Sequence, residues 1–149
     1  MEAKKDRFLL RKVVGYEVLS EKAPNETAVL VVEDDHSIRR LVKMVLQRRG
    51  YNVEVASDGV EAVLKLGLAD YDVIVLDLMM PNLDGFAFMS TMAEHDPARL
   101  NRVIVTSAAS PGVISARMKG TPFDLLPKPF DIDHLADRVR ACASGTREP

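Results

Sequence analysis

Five short apolar segments alternate with stretches of helical periodicity between residues 28 and 143. AVLVV occupies residues 28–32, and VIVL at residues 73–76 has the same character. Continuous apolar runs of this length are typical of strands that are buried on both faces, as in a parallel sheet. The stretches between them carry apolar residues three and four positions apart, which is the spacing of an amphipathic helix. The alternation predicts an α/β fold built on a doubly wound, five-stranded parallel sheet with right-handed crossovers.

Capping residues support the predicted helices. Asp58 is followed three residues later by Glu61, which is the spacing of a capping box. Asp84 is a candidate N-cap for the helix after the third strand, and Pro111 stands near the first position of a short helix. Gly50 follows the first helix as a C-terminal stop. We therefore expect each helix to begin directly after the loop that leaves its strand.

The pattern divides the chain into a domain at residues 28–143, an N-terminal arm at 1–27 and a flexible tail at 144–149. The arm contains an apolar stretch at residues 8–19, and the sequence leaves open whether it packs on the domain or remains a loose extension. This stretch and the face of the last helix are two candidate contacts for a homodimer, because large exposed apolar patches usually mark interaction sites.

Charge and cysteine content narrow the class of protein. The net charge is −2, which does not favour a nucleic-acid surface, since such surfaces usually carry a basic excess. The single cysteine excludes an intrachain disulfide. We find no apolar run long enough for a membrane span and no signal peptide. The sequence therefore predicts a cytoplasmic domain that binds neither nucleic acid nor membrane.

Acids, a hydroxyl and a cation stand where the predicted strands end. The first strand is followed by Glu33 and Asp34, the third ends in Asp77, the fourth in Thr106, and the fifth is followed by Lys128. Ligands of open α/β sheets bind at the carboxyl ends of the strands, so these side chains should meet there. Clustered carboxylates repel one another, and burial adds a desolvation cost. Mg²⁺ would relieve both, because it prefers oxygen ligands.

A carboxylate beside a metal ion and an ammonium group is a credible nucleophile for phosphorus. Carboxylates form acyl-phosphate intermediates, and phosphoryl transfer depends mainly on positioning and charge neutralisation. Mg²⁺, Lys128 and the Thr106 hydroxyl could each hold one phosphoryl oxygen while Asp77 accepts the group. The predicted edge of the sheet is therefore a candidate phosphoryl-transfer site.

Four motifs together resemble the receiver domain of bacterial two-component response regulators: VLVVEDDHSIRRLV, DVIVLDLMMPNLDG, VIVTSA and LPKPF. Their order and spacing are specific, with 43 residues from Asp34 to Asp77, 29 to Thr106 and 22 to Lys128. The resemblance covers residues 28–143 and implies a flavodoxin-like (βα)₅ fold. It also implies a phosphoacceptor domain rather than an enzyme.

By this resemblance, Asp77 is the residue phosphorylated by a sensor histidine kinase or a histidine phosphotransfer protein. Asp34 would bind Mg²⁺ directly, Glu33 mainly through water, and Met79 through its backbone carbonyl. The side chains of Met79 and Met80 are expected to fill gaps in the core. The resemblance thus implies a magnesium site built from three carboxylates and one main-chain oxygen.

The resemblance also gives the remaining residues their roles. Thr106 would move towards the phosphoryl group, and Lys128 would bind it, with a cis peptide before Pro129. Only six residues follow Ala143, so we expect a single-domain response regulator that signals by contact with an unknown downstream protein. Arg39 and Arg40 are expected to lie on a solvated helix face.

One position departs from the family pattern. Receivers often carry Tyr or Phe three residues before the lysine, and here that residue is Leu125, on the same strand face as Phe123. Leu125 raises the alternative of a receiver-fold interaction module that does not switch. A third alternative, a phosphatase with an aspartyl nucleophile, is disfavoured because Met79 stands where such enzymes carry a second aspartate.

Overall fold

A computed structural model describes residues 27–80, 82–118 and 123–145. Its strands and helices alternate as predicted, and the principal elements are β1 (Ala28–Val32), α1 (His36–Arg48), β2 (Asn52–Ala56), α2 (Gly59–Leu68), β3 (Val73–Asp77), α3 (Gly85–His95), β4 (Val103–Ser107), α4 (Pro111–Arg117), β5 (Asp124–Pro127) and α5 (Ile132–Ser144). The helix α5 ends one residue beyond the predicted domain boundary. The predicted arm, apart from Thr27, lies outside the described residues, as do residues 146–149 of the predicted tail.

The five strands form one parallel sheet in the order β2-β1-β3-β4-β5. Apolar side chains from its two faces enter two separate cores. Helices α2, α3 and α4 cover one core, and α1 and α5 cover the other. The doubly wound, flavodoxin-like fold is therefore confirmed.

Alternate residues of the central strands supply the two cores. Leu30 and Val32 of β1 belong to the core under α2, α3 and α4, whereas Val29 and Val31 belong to the core under α1 and α5. All five residues of β1 are buried. This placement explains the continuous apolar run, because a strand between two helical layers has no solvent face.

Side-chain caps fix where the helices begin. Asp58 accepts a hydrogen bond from the amide of Glu61, and Asp84 accepts from the amides of Phe86 and Ala87. These bonds satisfy amides that have no partner within the helix. Asp35 caps α1 in the same way by accepting from Ile38. The predicted caps at Asp58 and Asp84 are confirmed.

A tight connection joins β3 to α3 beside the carboxyl edge of the sheet. Met79–Met80 pairs antiparallel with Leu83–Asp84, and Gly85 follows at the start of α3. A Cβ atom at position 85 would lie 2.7 Å from the Cα atom of Leu78, so only glycine permits this approach. The connection holds the residues that follow Asp77 against the first turn of α3.

A 3₁₀ helix at Pro97–Arg102, which the sequence pattern did not predict, connects α3 to β4. Within the described ranges, no helix combines the length and apolarity that crossing a membrane requires.

Candidate functional site

Side chains from three strands meet at the carboxyl edge of the sheet. The Lys128 ammonium donates to Glu33 Oε1 at 3.0 Å, to Glu33 Oε2 at 2.9 Å and to Asp77 Oδ2 at 3.1 Å. Glu33 follows β1, Asp77 ends β3 and Lys128 follows β5. The structure thus brings together side chains that lie as far as 95 residues apart in the chain.

The two carboxylates in contact with Lys128 are almost completely shielded from solvent. The side chains of Glu33 and Asp77 are 5% and 4% exposed, and that of Lys128 is 16% exposed. Burial raises the pKa of Glu33 above its ordinary value; the hydrogen bond from Lys128 offsets part of this increase, and the charge of Asp77 adds to it. One ammonium group therefore stabilises the acid pair only incompletely.

Lys128 remains protonated in this setting. Burial alone would lower the pKa of Lys128, but its hydrogen bonds to Glu33 and Asp77 outweigh burial and raise the pKa above its ordinary value. A compact, fully charged ammonium with three donors suits contact with several anionic oxygens at once. The site therefore holds a permanent cation next to the Asp77 carboxylate.

The residues predicted to bind magnesium fit a divalent cation. Glu33, Asp34 and Asp77 each offer a carboxylate oxygen, and these oxygens lie within 4.8 Å of one another. Three carboxylates and one ammonium leave a formal charge of −2, which one divalent ion would neutralise. Asp34 is exposed, so the cluster is open to solvent on one side, as Mg²⁺ requires in order to keep part of its water shell.

The backbone after β3 orients the Asp77 carboxylate. The amide of Met79 donates to Asp77 Oδ1 at 3.0 Å, while Lys128 holds the other oxygen. The prediction that the Met79 side chain fills a core gap is wrong, because Met79 is 58% exposed. Met80 is buried as predicted. Met79 thus contributes a backbone donor and a solvent-facing thioether beside the carboxylate.

Thr106 lies next to Asp77 on the neighbouring strand. The two residues are partners in the parallel register of β3 and β4, and Thr106 is buried. The amide of Leu78 donates to the Thr106 carbonyl at 3.1 Å, and the amide of Lys128 donates to the Ser107 carbonyl at 2.8 Å. These backbone bonds join the ends of β3, β4 and β5. The Lys128–Pro129 peptide bond is cis, as the resemblance implied.

Arg39 is a site residue that the sequence analysis missed. Its Nη1 donates to the carbonyls of Glu33 at 3.0 Å and Asp34 at 3.2 Å, and its Nη2 lies 3.2 Å from His36 Nδ1. Arg39 is therefore only partly exposed, with its guanidinium held by main-chain oxygens, whereas Arg40 is exposed as expected. The available signal was its position one turn into α1, since helical side chains point back towards the helix N-terminus.

Leu125, the residue that departs from the family pattern, lies on β5 and faces the core. Leu125 pairs in register with Val105 of β4, and both Leu125 and Phe123 pack against the core under α2, α3 and α4. The predicted common face of Phe123 and Leu125 is confirmed. The effect of Leu125 on switching stays a prediction.

The sequence profile of the response regulator receiver domain matches residues 29–140. The transcriptional regulatory protein ResD of Bacillus subtilis is 38% identical over 120 residues, which cover 78% of this chain and 48% of ResD. The chain spans about half the length of the curated relatives it matches.

Solved structures similar to this chain also come from response regulators. The receiver domain of the Francisella response regulator 1452 is 35% identical, with a TM-score of 0.71 over 82% of this chain and 100% of that domain. TrrA of Thermotoga maritima, solved in complex with Mg²⁺ and BeF, is 27% identical, with a TM-score of 0.67 over 78% of this chain and 98% of TrrA. The chain belongs to the response regulator receiver domains of two-component systems.

Proposed function

We propose that the protein accepts a phosphoryl group on Asp77 in a magnesium-dependent reaction. The observation that carries this proposal is the placement of the Asp77 carboxylate, which is buried, held by Lys128 and the Met79 amide, and clustered with Glu33 and Asp34. TrrA, which is 27% identical, was solved in complex with Mg²⁺ and BeF, and this supports a magnesium site in this chain. The donor is a sensor histidine kinase or a histidine phosphotransfer protein.

In the proposed reaction, an Asp77 oxygen attacks the phosphorus atom of a phosphohistidine. A new oxygen–phosphorus bond forms, the nitrogen–phosphorus bond breaks, and its electron pair returns to the imidazole, which takes up a proton. Lys128 neutralises charge on the transferring group, and the Thr106 hydroxyl donates to one of its oxygens.

Glu33, Asp34 and Asp77, with the backbone carbonyl of Met79, would hold the metal ion. When bound, Mg²⁺ supplies positive charge against the phosphoryl oxygens. The Arg39 guanidinium fixes the carbonyls of Glu33 and Asp34, so it orients the loop that carries two of these ligands. The protein's contribution is therefore largely the fixed placement of charge.

The output is proposed to be contact with a downstream protein. ResD is named as a transcriptional regulatory protein, and this chain covers only about half of it. We propose residues 28–143 as the receiver, flanked by an arm and a tail, acting in the cytoplasm without binding nucleic acid itself. The net charge of −2 supports this proposal, because nucleic-acid surfaces are usually basic.

Intact-mass measurement tests the phosphoacceptor. Incubation with Mg²⁺ and acetyl phosphate should add the mass of one phosphoryl group to the wild type and none to Asp77→Asn. Asp84→Asn is the matched control: Asp84 is an exposed N-cap, and asparagine caps equally well. Absence of an adduct on the wild type, or an equal adduct on Asp77→Asn, would contradict the proposal.

A non-switching interaction module is the second candidate, and Leu125 is the observation that favours it. Beryllofluoride with Mg²⁺ mimics the phosphoryl group, so its effect on the amide spectrum separates the two functions. Shifts that extend from the acid cluster to α4 and α5 indicate a switch. Shifts confined to the residues around Asp77 indicate a module that keeps the fold and the site without the coupling.

A further inference from the structure

Helix α2 turns its only cation inward. Lys65 is the only cation of α2, and its side chain is 8% exposed. Its ammonium lies 3.6 Å from Glu54 and 3.3 Å from Glu61, and it donates to the carbonyl of Val55. A helix that covers a sheet usually points such a residue to solvent. The inner face of α2 is thus partly ionic.

The outer face of α2 is apolar instead. Val60, Val63 and Leu64 are 63%, 55% and 45% exposed, and a Cβ atom at Gly67 would meet no atom within 4 Å. These four positions follow the spacing i, i+3, i+4 and i+7, so they form one continuous line along the helix, here named the α2 stripe. Contiguous exposed apolar residues mark interaction sites more often than scattered ones.

Apart from Lys65, the charged residues of α2 and of the turns that flank it are acidic. Asp58 caps the helix, Glu61 lies in its first turn, and Asp70 follows its last turn, while Lys65 is directed towards the sheet. The exposed surface of this element therefore combines aliphatic side chains with negative charge. A complementary partner would carry large apolar side chains among cations.

The chain itself contains such a segment outside the described residues. Between residues 4 and 12 its sequence has five cations and one acid, and large apolar side chains recur through residue 19. By comparison, a second copy of α2 would bring the same acids face to face across a twofold axis, which is unfavourable. Charge complementarity thus favours the chain's own first residues over a second α2.

The point where the described chain begins allows this contact. The carbonyl of Thr27 accepts a hydrogen bond from the amide of Asn52 at 2.9 Å, so the chain enters at the amino edge of the sheet. The C-terminal end of α2 lies at the same edge, because a crossover helix returns the chain there. Residues 20–26 can span up to about 23 Å when extended. Helix α2 is only about 15 Å long.

We propose that residues 4–19 dock on the α2 stripe of the same molecule. Their apolar side chains cover Val60, Val63 and Leu64, and their cations lie beside Asp58 and Glu61. The contact leaves the carboxyl edge of the sheet with Asp77 and Lys128 uncovered. It gives α2 a role as the docking surface of the N-terminal segment, separate from phosphoryl transfer.

A spin label at the distal end of the segment tests the contact in the full chain. The label is attached to Ala3→Cys in a Cys142→Ser background, which leaves the apolar stretch intact. It should broaden the amide signals of residues 60–67 more strongly than those of Leu41 and Met44. These two residues of α1 lie on the opposite side of the sheet and are 45% and 41% exposed.

Leu64→Glu should abolish the selective broadening, whereas Leu41→Glu should preserve it; these two leucines are equally exposed. Equal broadening of both helices, or selective broadening that survives Leu64→Glu, overturns the proposal. A mixture of isotope-labelled chains and spin-labelled unlabelled chains distinguishes a second copy. In that mixture, only a contact between two copies can broaden the α2 signals of the isotope-labelled chains. Such broadening would therefore also overturn docking within one molecule.

Discussion

Lys128 is the residue on which the charge balance of the site depends. Its ammonium contacts two carboxylates that are each about 5% exposed or less, and those carboxylates lie close enough to share one metal ion. An ion pair of this kind adds little net stability when complete, because desolvation offsets the attraction. Removal of one partner is costly, since it leaves uncompensated charge inside the protein.

Replacing Lys128 with methionine should therefore destabilise the fold in the absence of Mg²⁺. We expect the free energy of unfolding to fall by about 3 kcal/mol, measured by urea denaturation. Added Mg²⁺ should recover part of this loss, because it supplies the missing positive charge. The control Arg140→Met changes a side chain that is 74% exposed and should stay within about 0.5 kcal/mol of the wild type. Equal stability of the two variants would contradict the role given to Lys128.

Arg39 and Arg40 are adjacent in sequence and differ in their contacts. Arg39 donates to the carbonyls of Glu33 and Asp34, whereas Arg40 is exposed. Residues that orient metal ligands typically contribute one to two orders of magnitude to affinity. Arg39→Ala should weaken Mg²⁺ binding about tenfold, as measured by titration of amide chemical shifts. Arg40→Ala should bind like the wild type, and equal affinities for the two variants would show that Arg39 does not position the loop.

At the scale of an element, α2 shows how a helix end and a buried charge are linked. Glu61 accepts hydrogen bonds from the amide and the hydroxyl of Ser57 and lies 3.3 Å from the Lys65 ammonium. Burial by itself raises the pKa of Glu61, but these hydrogen bonds and the charge of Lys65 outweigh it, so the pKa of Glu61 is lowered. The ionised form of Glu61 therefore stabilises the start of the helix.

This lowered pKa predicts the pH dependence of a variant. A carboxyl whose pKa is lower in the folded state stabilises the protein at pH values above the pKa of the unfolded state, near 4.5. This stabilisation is lost as the pH falls through the pKa of the folded state. Glu61→Gln should cost about 1 kcal/mol of unfolding free energy at pH 7. In urea denaturation, the difference from the wild type should shrink as the pH falls below 4.5 and through the lowered pKa of Glu61. Glu94→Gln on α3, at an exposed carboxyl, is the control. A constant difference for Glu61→Gln across the pH range would argue against the ionic contribution.

Sequence reasoning succeeded where the local pattern and the tertiary fold agree. Strands that are buried on both faces appear in the sequence as apolar runs. Asp58 and Asp84 cap the helices that they precede. The capping-box detail differs, because Glu61 accepts from the amide of Ser57 rather than from that of Asp58. The 3₁₀ helix at Pro97–Arg102 carries no comparable periodic signal over its six residues.

The unpredicted features are orientations that distant residues determine. Lys65 turns inward because its ammonium forms an ion pair with Glu54 of the edge strand and donates a hydrogen bond to the carbonyl of Val55. Neither contact is visible in the helical periodicity. Met79 faces solvent because the short antiparallel pair after β3 directs it outward. Motif order predicted which residues meet at the sheet edge, but it could not predict the hydrogen bonds from Arg39 to the carbonyls of Glu33 and Asp34.

At the scale of the whole molecule, the proposed metal site would couple ion binding to folding. The candidate ligands belong to loops and strand ends that approach one another only in the folded sheet, so Mg²⁺ should bind the folded state selectively. A concentration tenfold above the dissociation constant would stabilise the fold by about 1.4 kcal/mol. This corresponds to a rise in Tm of about 5 °C for a domain of this size.

A thermal melt with and without Mg²⁺ should show this rise in the wild type and lose it in Asp34→Asn. Asp35→Asn is the matched control, because Asp35 is an adjacent exposed acid that caps α1, a role that asparagine can fill. An unchanged rise in Asp34→Asn would remove Asp34 from the ligand set. Loss of the rise in both variants would indicate a nonspecific effect of acidic charge near α1.

The order of strands in the sheet has a consequence for how the chain folds during synthesis. Glu33 follows β1 and Asp77 ends β3, which are neighbouring central strands, whereas Lys128 follows the edge strand β5, 95 residues after Glu33. Pairings between residues so distant in sequence are slow to form. A nascent chain that has emerged only through β4 therefore holds the acids without their ammonium partner. The proposed phosphoryl-transfer site is therefore complete only when β5 has joined the sheet and Lys128 contacts Glu33 and Asp77.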